Sequence, residues 1–212
     1  MKKLFFVLML SLSLSLFSLI AKADYLKATY GLSSLGSDMS KKGGSATIDQ
    51  DDSGFMINAG KTIWSGLGVE AMYYDLGESS IKGSVGDKIT LDDATYVFTT
   101  AGTVSNETSG YGLGIFATTG NAEGLLSFSG TIRLGLHNWD RSGSTSLMYE
   151  SSKAFDTRFY NDGVDMYYGI EVNAGLTDSL ALNVSYDAMG FADEGSLGDS
   201  GSLASIGLLF NF

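Results

Sequence analysis

The residues that could carry chemistry are few. His137 is the only histidine of the 212 residues, and Asp140 and Ser142 follow it closely. Histidine, carboxylate and hydroxyl are the parts of a hydrolytic site, but such a site is set by geometry rather than by nearness in sequence. The three therefore leave two readings, a histidine at the rim of its structural element or a hydrolytic centre. One histidine and no cysteine leave a transition-metal site short of its usual ligands and rule out thiol chemistry. Asp49, Asp51 and Asp52 cluster in "IDQDD", and Asp92 and Asp93 are adjacent. Neither run has the alternating oxygen ligands, glycine turn and distal glutamate of a calcium loop. They read as solvated acidic loops, or as weak divalent-ion bridges to anionic phosphates. "SGYGLGIF" is glycine-rich, but Gly110, Gly112 and Gly114 recur at every second place and no helix follows, so no phosphate cradle is formed.

The elements that must hold these residues are strands. "LLSFSGTIRLGLHNW" places Leu126, Phe128, Gly130, Ile132, Leu134 and Leu136 on one face, with Ser127, Ser129, Thr131, Arg133, Gly135 and His137 on the other. "VDMYYGIEVNAG" repeats the pattern, and the chain ends on it, with Ala204, Ile206, Leu208, Phe210 and Phe212 sharing a face. Eight strands are predicted, at 25–33, 54–63, 66–76, 110–118, 125–138, 163–175, 179–188 and 203–212. Their connections alternate. "WSG", "TTGNAEG" and "LTDS" are short, whereas 34–53, 77–109, 139–162 and 189–202 are long and rich in Gly, Ser and Asp. The stretch "ITLDDATYVFTTAGTV" is apolar enough to form a small extra hairpin above the strands. Proline is absent, which suits uninterrupted ladders.

"MKKLFFVLMLSLSLSLFSLIAKA" has a positive start, an apolar run and a small-residue A-x-A site. It reads as a secretory signal cut before Asp24, with a single membrane anchor as the alternative. The expected organisation is a signal over 1–23 and one domain over 24–212. Losing Lys2, Lys3 and Lys22 takes the formal charge from −11 to −14, so nucleic acid would repel the chain.

The second face decides between a soluble barrel and a membrane barrel. It carries mostly Gly, Ser, Thr and Asn with a handful of charges, which suits a narrow filled interior rather than a watery surface. The apolar face then meets lipid, and closure removes the sheet edges. Tyr25, Tyr73, Tyr111, Tyr186, Phe210 and Phe212 lie near strand ends, where aromatic girdles sit. The fold class is therefore all-β: an eight-stranded antiparallel transmembrane β-barrel with short periplasmic turns and four long extracellular loops, monomeric, in the outer membrane of a Gram-negative cell. The charges of the inward face are few, and those singled out are Lys27, Glu70, Arg133, Glu171 and Asp187. Buried charge in a membrane has to be paired.

"GLGVEAMYYDLG", the turn before it and the terminal "LLFNF" resemble the OmpA-like outer-membrane β-barrel family. The resemblance spans residues 24–212 and stops at the barrel, so the family's periplasmic peptidoglycan-binding domain is not implied. It implies that Phe212, with Phe210 before it, marks the last strand for the barrel assembly machinery. It also implies a carboxylate and an arginine bridging the lumen, which fall on Glu70 and Arg133. The expected role is non-enzymatic and without cofactor. It is structural or adhesive, through the long loops, with outer-membrane lipids and lipopolysaccharide around the barrel and a surface ligand at the loops. The alternatives are a low-conductance pore gated by Glu70 and Arg133 and, more remotely, a lipid A-modifying enzyme using His137.

Overall fold

In the computed structural model the chain describes residues 23–36, 40–43, 45–91, 94–120, 124–149, 153–191 and 200–212. The signal segment and the Asp92–Asp93 pair lie outside the described residues. Twelve strands follow one another: β1 (Tyr25–Gly36), β2 (Ser40–Gly43), β3 (Thr47–Asp49), β4 (Asp51–Trp64), β5 (Leu67–Gly83), β6 (Lys88–Leu91), β7 (Ala94–Val97), β8 (Gly102–Gly120), β9 (Phe128–Tyr149), β10 (Lys153–Gly175), β11 (Leu180–Gly190) and β12 (Ser200–Asn211).

Eight of these close on themselves in the order β5-β4-β1-β12-β11-β10-β9-β8, and β8 returns to β5. Every barrel pairing is antiparallel, including the closing pair of first and last strands, where Tyr25 faces Asn211 and Gly36 faces Ser200. The eight predicted strands are all present. The tight turn between β4 and β5 uses Ser65 and Gly66, at φ 21° and 81°. Two positive φ values in a two-residue hairpin loop match the right-handed twist of the strands it joins.

The predicted strands are too short at the long-loop end. β5, β8, β9 and β10 run on by up to ten residues or more, so that much of 77–109 and 139–162 is ladder rather than loop. The reason lies in composition. Once a hairpin clears the lipid, its outer face turns from Leu and Ile to Ser, Thr and Asp, and an apolar alternation is no longer there to read. β3 adds to β5 above the end of β4, pairing Thr47 with Lys82. β2, β6 and β7 make a separate three-stranded sheet. Its β6–β7 hairpin is the extra hairpin expected from "ITLDDATYVFTTAGTV".

The two faces of the barrel wall differ as the alternation requires. On β12, Leu203 is fully buried, whereas Ile206 is 56% and Phe210 42% exposed. Tyr30, Leu32, Ile132, Leu134, Ile170 and Val184 continue the apolar belt around the outside. A contiguous apolar surface of this extent needs an apolar solvent.

Candidate lumenal site

All five inward charges predicted from parity are in the lumen and buried: Lys27, Glu70, Arg133, Glu171 and Asp187. Glu171 on β10 is the hub. Lys27 Nζ on β1 donates to its Oε2 at 2.5 Å, and the Arg133 guanidinium on β9 pairs with the same oxygen. Asn173 Nδ2 donates to Oε1 at 3.2 Å and its own carbonyl oxygen accepts from Asn183 Nδ2 at 2.6 Å. Arg133 Nε also lies 3.4 Å from Asp187 Oδ1 on β11.

Glu70 does not pair directly with Arg133, contrary to the bridge implied by the OmpA-like resemblance. Its carboxylate accepts from Tyr25 Oη at 2.9 Å, Tyr167 Oη at 3.0 Å and Asn58 Nδ2 at 3.5 Å. Register explains the difference. Arg133 and Asp187 both face Gly169, so the two side chains meet across it. A Cβ on Gly169 would stand 2.1 Å from Asp187 Oδ1 and 3.0 Å from Arg133 Cγ, so only glycine leaves room for the pair. Glu70 faces Gly114 on β8, whereas Arg133 faces Phe116 two residues along the same strand, so the two side chains sit one row apart. Lys27, Asn58, Glu70, Arg133, Glu171 and Asp187 come from six different strands, which makes the network a belt of cross-links around the barrel.

Above this layer, toward the long loops, apolar and aromatic side chains fill much of the lumen beside buried polar residues such as Thr108 and Arg141. Leu35, Met56, Met72, Tyr74, Leu76, Trp139, Tyr167, Met189, Phe191 and Leu203 form one buried cluster. The expectation of an interior lined by small polar residues thus holds only in part. Gly110, Gly112 and Gly114 do line the interior, as seats for large neighbours: a Cβ at Gly110 would meet Tyr74 Oη at 2.5 Å, and one at Gly114 would meet Tyr167 Oη at 2.2 Å.

His137 belongs to this plug and not to a rim. It is 1% exposed, its Nδ1 shares a hydrogen bond of 2.7 Å with Tyr74 Oη, and it packs edge-on to Tyr167 and Phe191. Asp140 and Ser142 have the opposite parity and point outward, and Asp140 accepts from the hydroxyl of the outward Tyr160. The hydrolytic grouping is therefore not assembled. Arg141, also fully buried, stacks 4.3 Å over Phe191 and 5.6 Å from Trp139. Arg141 does not stand out in sequence because its position lies beyond the apolar alternation, and Met56 and Met72 do not because they sit on the face that otherwise carries small polar residues.

At the short-turn end the lumen opens as a vestibule of about 330 Å³, lined by Tyr25, Thr118, Ser129, Thr131 and Asn173 and floored by Glu171. It ends at the charge network. Outside it, Asp24 begins the folded barrel: its carboxylate accepts from Lys61 Nζ at 3.0 Å and from the Thr62 amide at 2.8 Å. These two hydrogen bonds hold its carboxyl below the usual carboxylate value. The Phe212 amide donates to the Asp24 carbonyl, which ties the last residue to the first strand.

Two acidic loop residues, Asp87 and Asp52, act as struts. Asp87 is buried and accepts from the amides of Ser45 and Ser84, which joins two long loops. Asp52 accepts from the Glu78 amide at a bulge in β5. Among the described residues no group of three or more His, Cys, Asp or Glu is arranged to hold a metal ion.

No protein-family model matches the chain, and no curated protein does. Among solved structures it is similar to the outer membrane protein OprG from Pseudomonas aeruginosa, with a TM-score of 0.50 and 11% identity over 90% of this chain and 97% of that one. It is also similar to Ail, the attachment invasion locus protein of Yersinia pestis, solved in complex with the heparin analogue sucrose octasulfate. There the TM-score is 0.45 and identity 11% over 89% and 98% of the two chains. At such identities the likeness is one of fold, and the architecture expected from the OmpA-like resemblance is the one found: this chain has the fold of an outer-membrane β-barrel.

Proposed function

We propose that this chain is an integral outer-membrane barrel with a structural or surface-interaction role exerted by its long-loop end. The observation that carries the reading is the crowding of buried side chains in the lumen. A cross-linking charge layer and an apolar plug lie one above the other, so the interior serves rigidity rather than passage. The ordered extensions of β5, β8, β9 and β10, with the small β2-β6-β7 sheet beside them, put most of the non-barrel structure on one side of the belt. That side faces outward in this reading, amid lipopolysaccharide, and the chain acts as a monomer. Residues 1–23 are removed on export, and Phe210 and Phe212 serve the assembly machinery as its recognition strand. Support for that assignment comes from Phe210 facing outward on the strand that closes the barrel.

The test is removal of residues 88–97, the β6–β7 hairpin, in cells that otherwise lack the protein. Attachment of the cells to surfaces should fall while the barrel still shows its heat-dependent gel shift. Unchanged attachment with a normally assembled barrel, for this and for each of the other long loops, would refute the surface role.

A second reading, a narrow pore, draws on the vestibule that reaches Glu171. In that case the gate would be Arg133 with Glu171 and Asp187, rather than Arg133 with Glu70.

A further inference from the structure

A groove of about 490 Å³ lies on the outside of the barrel at the short-turn end, against β4, β5, β8 and β9. Its lips are Ile63 and Trp64 on one side and Leu134 on the other, and its floor is Val69, Ile115 and Ala117. A register shift in β4 between Thr62 and Trp64 lies at its edge. A bulge of this kind leaves one residue unpaired and bends its strand, so two consecutive side chains can turn to the same face. Ile63 and Trp64 are accordingly 71% and 74% exposed, side by side, where strict alternation would send one of them into the lumen. Ala117, across the hairpin on β8, is too small to fill the space they overhang.

The groove is continuous with the apolar belt, but it is concave where the rest of the belt is convex. Water has no polar partners on such a lining and is not stable there. An acyl chain on the convex belt touches protein on one side and other chains on the rest. In the groove it would touch more protein than on the flanking belt. Apolar groups in lipid gain little by leaving it for protein except through added close contacts, and those are what the groove supplies. Trp64 at its mouth is of the type that settles at the membrane–water boundary.

We propose that this groove is a lipid site that holds one acyl chain of an inner-leaflet phospholipid. The inference rests on the barrel lying in a bilayer with its short turns on the periplasmic side. A second copy of the chain packing through Trp64 is the competing occupant.

The experiment uses the full chain reconstituted in phosphatidylethanolamine–phosphatidylglycerol vesicles with a trace of phospholipid carrying a diazirine in one acyl chain. After irradiation, adducts are mapped by mass spectrometry. They should be several-fold more abundant on 63–69, 115–117 and 132–134 than on Ile206 and Leu208 across the barrel. Ala117→Phe, which fills the floor from an outward position, should bring the groove adducts down to the level of the rest of the belt, and Val69→Phe should do the same. Even labelling around the belt, or groove labelling that both variants leave unchanged, would overturn the site while leaving the membrane reading intact. Protein–protein cross-links through a photoreactive residue at position 64 would assign the groove to a second copy and overturn the lipid proposal. Absence of adducts anywhere would overturn both the site and the bilayer placement beneath it.

Discussion

At the scale of single residues, the lumen turns on Arg133. It is buried against Glu171 and Asp187, so its removal leaves two buried carboxylates with Lys27 as the nearest cation of the network. Breaking a buried pair from one side typically costs about 3–5 kcal/mol, and Arg133→Ala should destabilise the barrel in urea titrations by that order. Double-mutant cycles then separate contact from mere proximity. Arg133→Ala with Asp187→Asn should be non-additive by about 0.5–3 kcal/mol, the range for residues in one network. Arg133→Ala with Glu70→Gln should come much closer to the sum of the singles, because Glu70 is held by hydroxyls and an amide. Equal coupling in both cycles would mean that the register in the lumen is not the one described. The five charges of the network were legible in the sequence from parity, whereas the buried Arg141 was not. How they pair was not, because a period-two pattern fixes the face of each strand but not the offset between strands. The histidine was misplaced for a related reason. The apolar alternation ends near position 137, whereas the strand continues to Tyr149.

Asp24 gives a pH dependence with a definite sign. Its folded carboxyl titrates below its ordinary value of 3.8, because Lys61 and the Thr62 amide favour the charged form. The stabilisation is therefore complete above the ordinary carboxylate value and is lost as pH falls through the lower folded one. Both partners are about half exposed, so the effect stays below about 1 kcal/mol. Asp24→Asn should lower stability slightly at neutral pH and should flatten the acid limb of the urea midpoint against pH. A variant whose acid limb parallels the wild type would show that this pair contributes nothing.

At the scale of elements, the interesting departure from sequence expectation is at the loop end. Alternating Ser, Thr and acidic residues in 102–109 and 139–149 read as loop, since the usual sign of a strand is an apolar face. Their pairing comes from the hairpins below, which deliver the two chains already in register. The rim is further braced by Asp87 and by the small cluster of Ala46, Ile81 and Phe98. Asp87→Ala should release Ser45 and Ser84 together and speed proteolysis within 40–98 in intact cells, while the barrel below stays protease-resistant. Cleavage no faster than in the wild type would show that the loops are held by something else. The last strand makes a second prediction. Deleting Phe212 removes the amide that closes onto Asp24 and one exposed aromatic, so outer-membrane insertion should drop while export continues. Insertion at the wild-type level would end the assembly-signal reading.

At the scale of the whole molecule, the chain is a barrel whose wall was readable and whose filling was not. Apolar alternation, the turn residues and the terminal aromatics all agreed on one outward face, and agreement across levels is what makes a fold legible. The plug escaped because its methionines and aromatics occupy the face that the sequence marked as polar. Orientation follows from loop length, and the absence of cysteine makes it simple to probe. Ser84→Cys should react with an impermeant thiol reagent on intact cells, and Ser65→Cys should react only after lysis. The reverse pattern would invert the barrel.

A role exerted through the outer end requires the lumen to be shut. Single-channel recording in planar bilayers addresses it most directly. The wild-type protein should show no steps above the bare bilayer at any moderate voltage. Ala substitutions that open only the apolar plug, such as Phe191→Ala with Trp139→Ala, should leave the charge layer still closed. Removing Arg133 and Glu171 together with these two should be needed before steps appear. Regular conductance steps from the wild-type protein, with the folded form confirmed on gels, would contradict the closed barrel and with it the proposal that this chain acts through its outer end.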